Sequence, residues 1–343
     1  MKTNTNLNKE KSKSRFLTII MALAALSLIV SVMYAPVLAE ESVPAYNDGH
    51  ACNSDTIRHV SSSQTTYSSS DGYLPQMWGI NKIEAPQAWQ ITKGHRSVVV
   101  AVLDTGIDKN NNNLSHKLVD ETNFTNSSTN NDIYEHGTHM AGTIATIAPE
   151  CQLLNVKVIE DSGKCESLVV ASGIMWAVEH GALVINVSLS TKASPELEEA
   201  VNYAWNQGAL VVAAAGNEGT SMPLYPAYYT NCLAVAATNE KDSLALLSSN
   251  GDWVDVAAPG FNIYSELPQN RYGYKSGTSS AAAHVSGVAT LAFSIANDTN
   301  DNGLINDEVR QAIEDSCSPI SANGVGKGLI NALAAVTDIT SAN

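Results

Sequence analysis

The sequence predicts an α/β domain, a doubly wound and mostly parallel sheet with helices on both faces. Three observations carry that expectation. Apolar, β-branched runs recur at 97–103, 153–159, 183–187, 210–215 and 233–237. Helical patterns lie between them at 136–146, 167–180 and 195–207, and a further segment, 279–295, is small and apolar on every side. Unbroken apolar strands imply cover on both faces, as in a parallel sheet. Alternating strands and helices imply double winding.

Run 97–103 holds four valines and stops at Asp104, which places a carboxylate at a strand end. Segment 136–146 opens on His136, and Gly181 closes the helix expected over 167–180. Ser194 followed by Pro195 is a helix start, a capping hydroxyl ahead of a proline in the first turn, and Gly208 stands past that helix's end. In 279–295, Ala281, Ala282 and Ala283 are followed by Gly287, Ala289 and Ala292. Such a helix is buried all round, so the serine at its start is expected to open onto a functional cleft.

Composition narrows the function. The 343 residues are 44% hydrophobic and 15% charged, enough for a large core. Formal net charge is −15. Residues 1–39 hold five Lys/Arg and one Glu, so without them 14 basic residues face 33 acidic ones, a charge of −19. That surface repels phosphate backbones and argues against a nucleic-acid partner. Lys9, Lys11, Lys13 and Arg15 precede an apolar run over 16–32, then the small residues of Ala35-Pro36-Val37-Leu38-Ala39. This is an export signal, with cleavage expected after Ala39; the competing reading is a retained membrane anchor, since 16–39 can span a bilayer. Either way the remainder works outside the cytoplasm. Segment 40–72 is polar and reads as a flexible leader. The expected organisation is 1–39 signal peptide or anchor, 40–72 leader or short pro-segment, 73–338 catalytic domain and 339–343 tail. The five cysteines, Cys52, Cys151, Cys165, Cys232 and Cys317, are odd in number, so one at least is free or pairs between chains. Export allows disulfides; burial as small apolar residues is the other reading.

Three distant segments carry the chemistry: Val102-Leu103-Asp104-Thr105-Gly106, His136-Gly137-Thr138-His139-Met140-Ala141-Gly142, and Gly277-Thr278-Ser279-Ser280-Ala281-Ala282-Ala283-His284-Val285-Ser286-Gly287. An alcohol needs an adjacent base to become a nucleophile, and that base needs an acid to fix its tautomer. Asp104, His136 and Ser279 supply acid, base and alcohol. Singly, Asp104 also reads as a strand-end cap, His136 as a core histidine, and Asn217, beside Gly216, as a turn residue. His136 and His139 lack a third metal ligand, and His139 and His284 read as structural helix residues.

With these motifs the chain resembles subtilisin-like serine peptidases, the subtilases, over about 73–336. Stretches without catalytic residues take part, among them Ala85-Pro86-Gln87-Ala88-Trp89, Tyr225-Pro226-Ala227-Tyr228-Tyr229 and Gly326-Lys327-Gly328-Leu329-Ile330-Asn331. The resemblance implies a seven-stranded sheet and an Asp104–His136–Ser279 triad, with Asn217 in Ala215-Gly216-Asn217-Glu218-Gly219 as oxyanion donor. It also implies a cis bond at Tyr225–Pro226. The activity it implies is a monomeric, exported serine endopeptidase acting on proteins and peptides, touching membrane only through an uncleaved N-terminal segment, with no cofactor needed for chemistry.

Departures from the family pattern shape the finer expectations. Ser280 replaces a common methionine, so activity should resist peroxide, and Ala283 replaces a proline. Substrate-binding residues are expected at Ser188, Leu189, Ser190, Ala215, Gly216 and Leu224. Ser190 and Thr191 stand where the family has glycines, and Leu224 on the pocket floor makes it shallow, so small or medium apolar P1 side chains are expected. The loop of the family's tight calcium site is missing, and Asn113 replaces its Asp ligand. A second candidate, Asp298-Thr299-Asn300-Asp301-Asn302-Gly303, resembles a calcium loop, but Val309 occupies the twelfth position, which favours a helix-capping turn. Structural calcium is therefore a disfavoured reading that stays open, with no metal ligand assigned. Only about thirty polar residues separate Ala39 from Tyr73, so the enzyme is expected to fold without a large intramolecular chaperone. Two rival readings are a catalytically silent binding protein on the same fold and a membrane-tethered processing protease.

Overall fold

Alternation along the strands explains the architecture. In β1 (Val99–Asp104), Val100 and Val102 enter one core cluster while Ala101 and Leu103 enter the other. The same division holds in β3 (Gln152–Lys157), β4 (Ala182–Val187) and β5 (Leu210–Ala214), where neighbouring residues face opposite ways. Two-sided burial is why these runs read as continuously apolar.

The computed structural model describes residues 77–342. The export signal or anchor, the leader and Cys52 lie outside the described residues. Seven strands form one sheet in the order β2 (Leu118–Asn123), β3, β1, β4, β5, β6 (Cys232–Thr238), β7 (Val256–Pro259), every pairing parallel. Seven strands match the number the resemblance implied, and two of them have no counterpart among the apolar runs. Strand β2 is an edge strand with exposed Asp120 and no apolar alternation; β7 is only four residues long. Strand β6 is buried throughout. A separate antiparallel hairpin joins β8 (Ile263–Leu267) to β9 (Arg271–Lys275).

Short helices α1 (Trp78–Lys82) and α2 (Ala85–Ala88) come first. Helices α3 (Gly137–Ile147) and α6 (Thr278–Phe293) cover one face of the sheet, with α7 (Asn306–Asp315) and α8 (Ala332–Ala342) beyond. Helices α4 (Ser167–Glu179) and α5 (Pro195–Asn206) cover the other. Ser194 caps α5 as expected, accepting from Leu197 N–H at 3.2 Å. Gly181 and Gly208 have φ of 82° and 83°, the left-handed conformation that ends a helix. Every residue of α6 is buried. The last helix runs on through 339–342 where a tail was expected, because Ile339 is an anchor in the core. Among the described residues no helix is long and apolar enough to cross a membrane.

Candidate active site at the carboxyl edge of the sheet

The chain builds β1, β2 and β3 to one side and then jumps to β4 on the other, so the winding reverses at β1 and β4. Open α/β sheets hold their ligands beyond the carboxyl ends of the strands at such a reversal. Asp104 ends β1, Ser188 follows β4, and Ala215, Gly216 and Asn217 follow β5. Register pairs Leu103 with Val187, which sets Asp104 level with Ser188.

His136 Nδ1 lies 2.7 Å from Asp104 Oδ1, with Asp104 fully buried and His136 2% exposed. A carboxylate only accepts, so Nδ1 carries the shared proton and Nε2 is left as the basic nitrogen. Thr105 N–H donates to the same Asp104 oxygen at 2.7 Å.

Ser279 stands in the first turn of α6, where the helix dipole and end amides favour negative charge. Its Oγ donates to Ser188 O at 3.0 Å. Next to it Thr278 is a junction. Thr278 N–H and Oγ1 both donate to Asn217 Oδ1, at 2.8 and 3.0 Å, while Thr278 Oγ1 accepts Gly216 N–H at 3.0 Å. With Oδ1 so occupied the orientation of the Asn217 amide is fixed, and its NH2 faces away from Thr278.

The expected substrate residues line the two strand extensions. Ser188 and Leu189 are buried, Ser190 is half-buried, and Thr191 N–H donates to Tyr225 O at 2.8 Å, joining that segment to the Leu224 turn. Tyr225–Pro226 is cis. Ala215 belongs to the core and its N–H bonds Val235 O. Leu224 packs hard against Gly216: a Cβ there would come within 2.3 Å of Leu224 Cδ1 and 2.6 Å of Glu218 Oε2. Gly216 also has φ of 107°, so this approach requires glycine. Glu218, whose Oε2 also accepts from Ser249 Oγ at 3.1 Å, escaped the sequence reading. An exposed acid between Asn217 and Gly219 carries no local signal.

Cys165 is disulfide-bonded and its sulfur lies 4.0 Å from Ser190 O. Cys151 and Cys232 are free and buried, and Cys317 is free and half-buried. Desolvation pushes the Cys151 thiol up to about 11, which makes it inert.

A model of the subtilase family matches residues 95–329. The chain belongs to that family. Over 285 residues this subtilase is 42% identical to thermitase of Thermoactinomyces vulgaris, covering 79% of this chain and 99% of the relative. It is 40% identical to a thermophilic serine proteinase of Bacillus sp. (strain AK1), covering 77% of this chain and 68% of that one. Among solved structures, a protease of Pseudoalteromonas arctica PAMC 21717 superposes with a TM-score of 0.72 at 26% identity, over 80% of this chain and 99% of the other. A lanthipeptide protease superposes at 0.71 and 22% identity, over 78% and 96%, a likeness of fold. This subtilase is a serine endopeptidase.

Calcium binding is common among subtilases, and the candidate ligands here fit it poorly. Asn113 is neutral and turns its amide nitrogen on Tyr272 OH (2.6 Å) and Glu266 Oε1 (3.4 Å), a donor where a cation would need an acceptor. In the 298–303 turn, Asp298 Oδ1 and Oδ2 accept Asn302 and Gly303 N–H, and the Asn300 and Asn302 amides donate to Asp307. The turn satisfies itself, but it does not cap the next helix as expected: Ile305 is the N-cap of α7 and no side-chain cap bond is made there. Among the described residues no three His, Cys, Asp or Glu side chains gather as a metal requires. His139 spends Nε2 on Ile263 O (3.0 Å) and Gly273 O (3.3 Å), and His284 turns Nδ1 to Ser280 O (2.8 Å), so both are structural.

Proposed function

We propose that this subtilase is an exported endopeptidase in which Ser279 is the nucleophile, His136 the base and Asp104 the acid that orients it. The observation that carries this is the buried 2.7 Å pair between His136 and Asp104, beside which Ser279, in the first turn of α6, bonds Ser188 at the end of β4. Ser279 Oγ attacks the peptide carbonyl as its proton passes to His136 Nε2. The tetrahedral oxyanion is held by the Ser279 N–H and the Asn217 amide, donors aimed before charge develops. Collapse expels the amine, which takes the proton from His136, and leaves an ester on Ser279. Water activated by the same imidazole then releases the acid. No cofactor takes part.

Residues 73–338 act as the catalytic domain, 1–39 as the export signal and 40–72 as a short pro-segment. Substrate runs as a strand along Ser188, Leu189 and Ser190, opposite Ala215 and Gly216. Leu224 closing on Gly216 supports a shallow pocket for small or medium apolar P1 side chains. A fluorophosphonate probe tests the reading: the wild type is expected to be labelled and Ser279→Ala is not. Labelling that persists in the variant, or a wild type that never reacts, ends it.

A further inference from the structure

Helix α3 starts without a cap of its own. His136 occupies the N-cap position with helical backbone angles, and its side chain caps nothing. Its first amides are satisfied from elsewhere. Gly137 N–H donates to Thr105 Oγ1 at 2.9 Å, and Thr138 N–H donates to Asp132 Oδ2 at 2.9 Å. Thr105 Oγ1 in turn donates to Asp132 Oδ1 at 2.9 Å. The same Oδ1 accepts Tyr134 N–H at 3.0 Å and Glu135 N–H at 2.8 Å. Asp132 is 3% exposed. Both of its oxygens act only as acceptors, which is the behaviour of a carboxylate. Burial raises its pKa, and the donors on Thr138 and Thr105 oppose that rise.

Where these bonds land gives them their meaning. Thr105 follows Asp104 and donates its N–H to the Asp104 carboxylate. Glu135 and Gly137 flank His136. One buried carboxylate thus braces the residue after the proposed acid and both neighbours of the proposed base, Glu135 directly and Gly137 through Thr105 Oγ1. We infer that Asp132 is a positioning residue for peptide hydrolysis, holding Asp104 and His136 in mutual register by clamping the end of β1 to the start of α3. The inference rests on the triad reading above.

Asp132→Asn tests it at constant shape. The new NH2 must face either Thr138 N–H or the three donors on the other side, so one support becomes donor against donor. With kcat counted per site titrated by a fluorophosphonate, which removes misfolded protein from the count, a fall of about 10- to 100-fold is expected, the scale of a small misplacement of reacting groups. KM for the same peptide should not change. The far-downfield proton resonance of His136 Nδ1–H should shift or broaden, as simple loss of stability would not make it do in folded protein. Thr105→Val removes the relaying hydroxyl by a second route, and the double variant should lose no more than the worse single one, because both break one linkage. Wild-type kcat in both variants, a change confined to KM, or fully additive losses would overturn the inference. A wild type that neither titrates nor turns over would instead remove the triad reading itself.

Discussion

Ser279 and Ser188 exchange two hydrogen bonds, Ser279 Oγ to Ser188 O and Ser188 Oγ to Ser279 O, each 3.0 Å long. The exchange ties the first turn of α6 to the end of β4, 91 residues away in sequence. Ser188 Oγ also accepts the Asn186 amide at 2.9 Å, and Asn186 Oδ1 accepts Ser286 Oγ at 3.0 Å. The backbone of Ser279, the proposed nucleophile, is thus fixed by a buried polar network as well as by its helix.

Ser188→Ala leaves the buried Asn186 amide and one Ser279 carbonyl lone pair short of a partner. A stability loss of about 1–3 kcal/mol is expected, with a lower kcat. Ser190→Ala, on the half-buried rim, should stay within about 0.5 kcal/mol of wild type. Urea unfolding of both variants in a Ser279→Ala background, free of autolysis, measures the contrast, and equal losses would contradict it.

Asn217→Ala removes an amide whose direction Thr278 fixes. A fall in kcat on the order of 10²–10³ is expected with little change in KM, a magnitude that comes from subtilisin itself. Fluorophosphonate labelling should slow but persist, since Ser279 and His136 keep their places. An unchanged kcat would take Asn217 out of the reaction.

Leu224→Ala opens the space over Gly216. The ratio of kcat/KM for a Phe over an Ala P1 peptide should rise about 10-fold or more, the range that a few methylenes of pocket volume control. A ratio that stays put would place the pocket floor elsewhere. A wild type that favours Lys or Arg at P1 would point to Glu218 as the governing residue instead.

What could be read from the chain follows from range. The five central strands announce themselves because each is buried on both faces, and α5 because its cap and proline are adjacent in sequence. Strand β2 could not, since an edge strand with exposed Asp120 has neither alternation nor an apolar run. The site divides in the same way. Asp104, His136, Ser279 and Asn217 sit in motifs dense with glycine, where the chain packs closely on itself: a Cβ on Gly106 would come within 2.3 Å of Asn130 O and one on Gly137 within 2.1 Å of Gly106 O. Asp132 lies in a stretch of Asn, Ser and Thr, and its bond to Thr105 spans 27 residues. Only folding reveals that contact.

His284 gives the chain a dated response to acid. Its ring is wholly buried in α6, and desolvation lowers its pKa from 6.5 to about 4, only partly opposed by the bond to Ser280 O. Above pH 6.5 the imidazole is neutral in both folded and unfolded chains and contributes nothing. Between about 6.5 and 4 the unfolded chain binds a proton that the folded one refuses, so stability falls as pH falls, by about 3 kcal/mol in all. Below about 4 the folded state protonates too and the loss stops. His139, also lowered by burial, acts in the same direction. Asp132 and Glu266 act oppositely: burial raises them, so the folded state keeps their protons longer, and that support is lost as pH rises through their folded values. Comparing His284→Gln with its parent, both in the Ser279→Ala background, separates these contributions. Urea unfolding of each at about pH 7 and pH 4.5 should give a smaller acid-induced loss in the variant, by about 2–3 kcal/mol. Equal losses in the two proteins would mean that the folded state accommodates a charged imidazole at this place in α6.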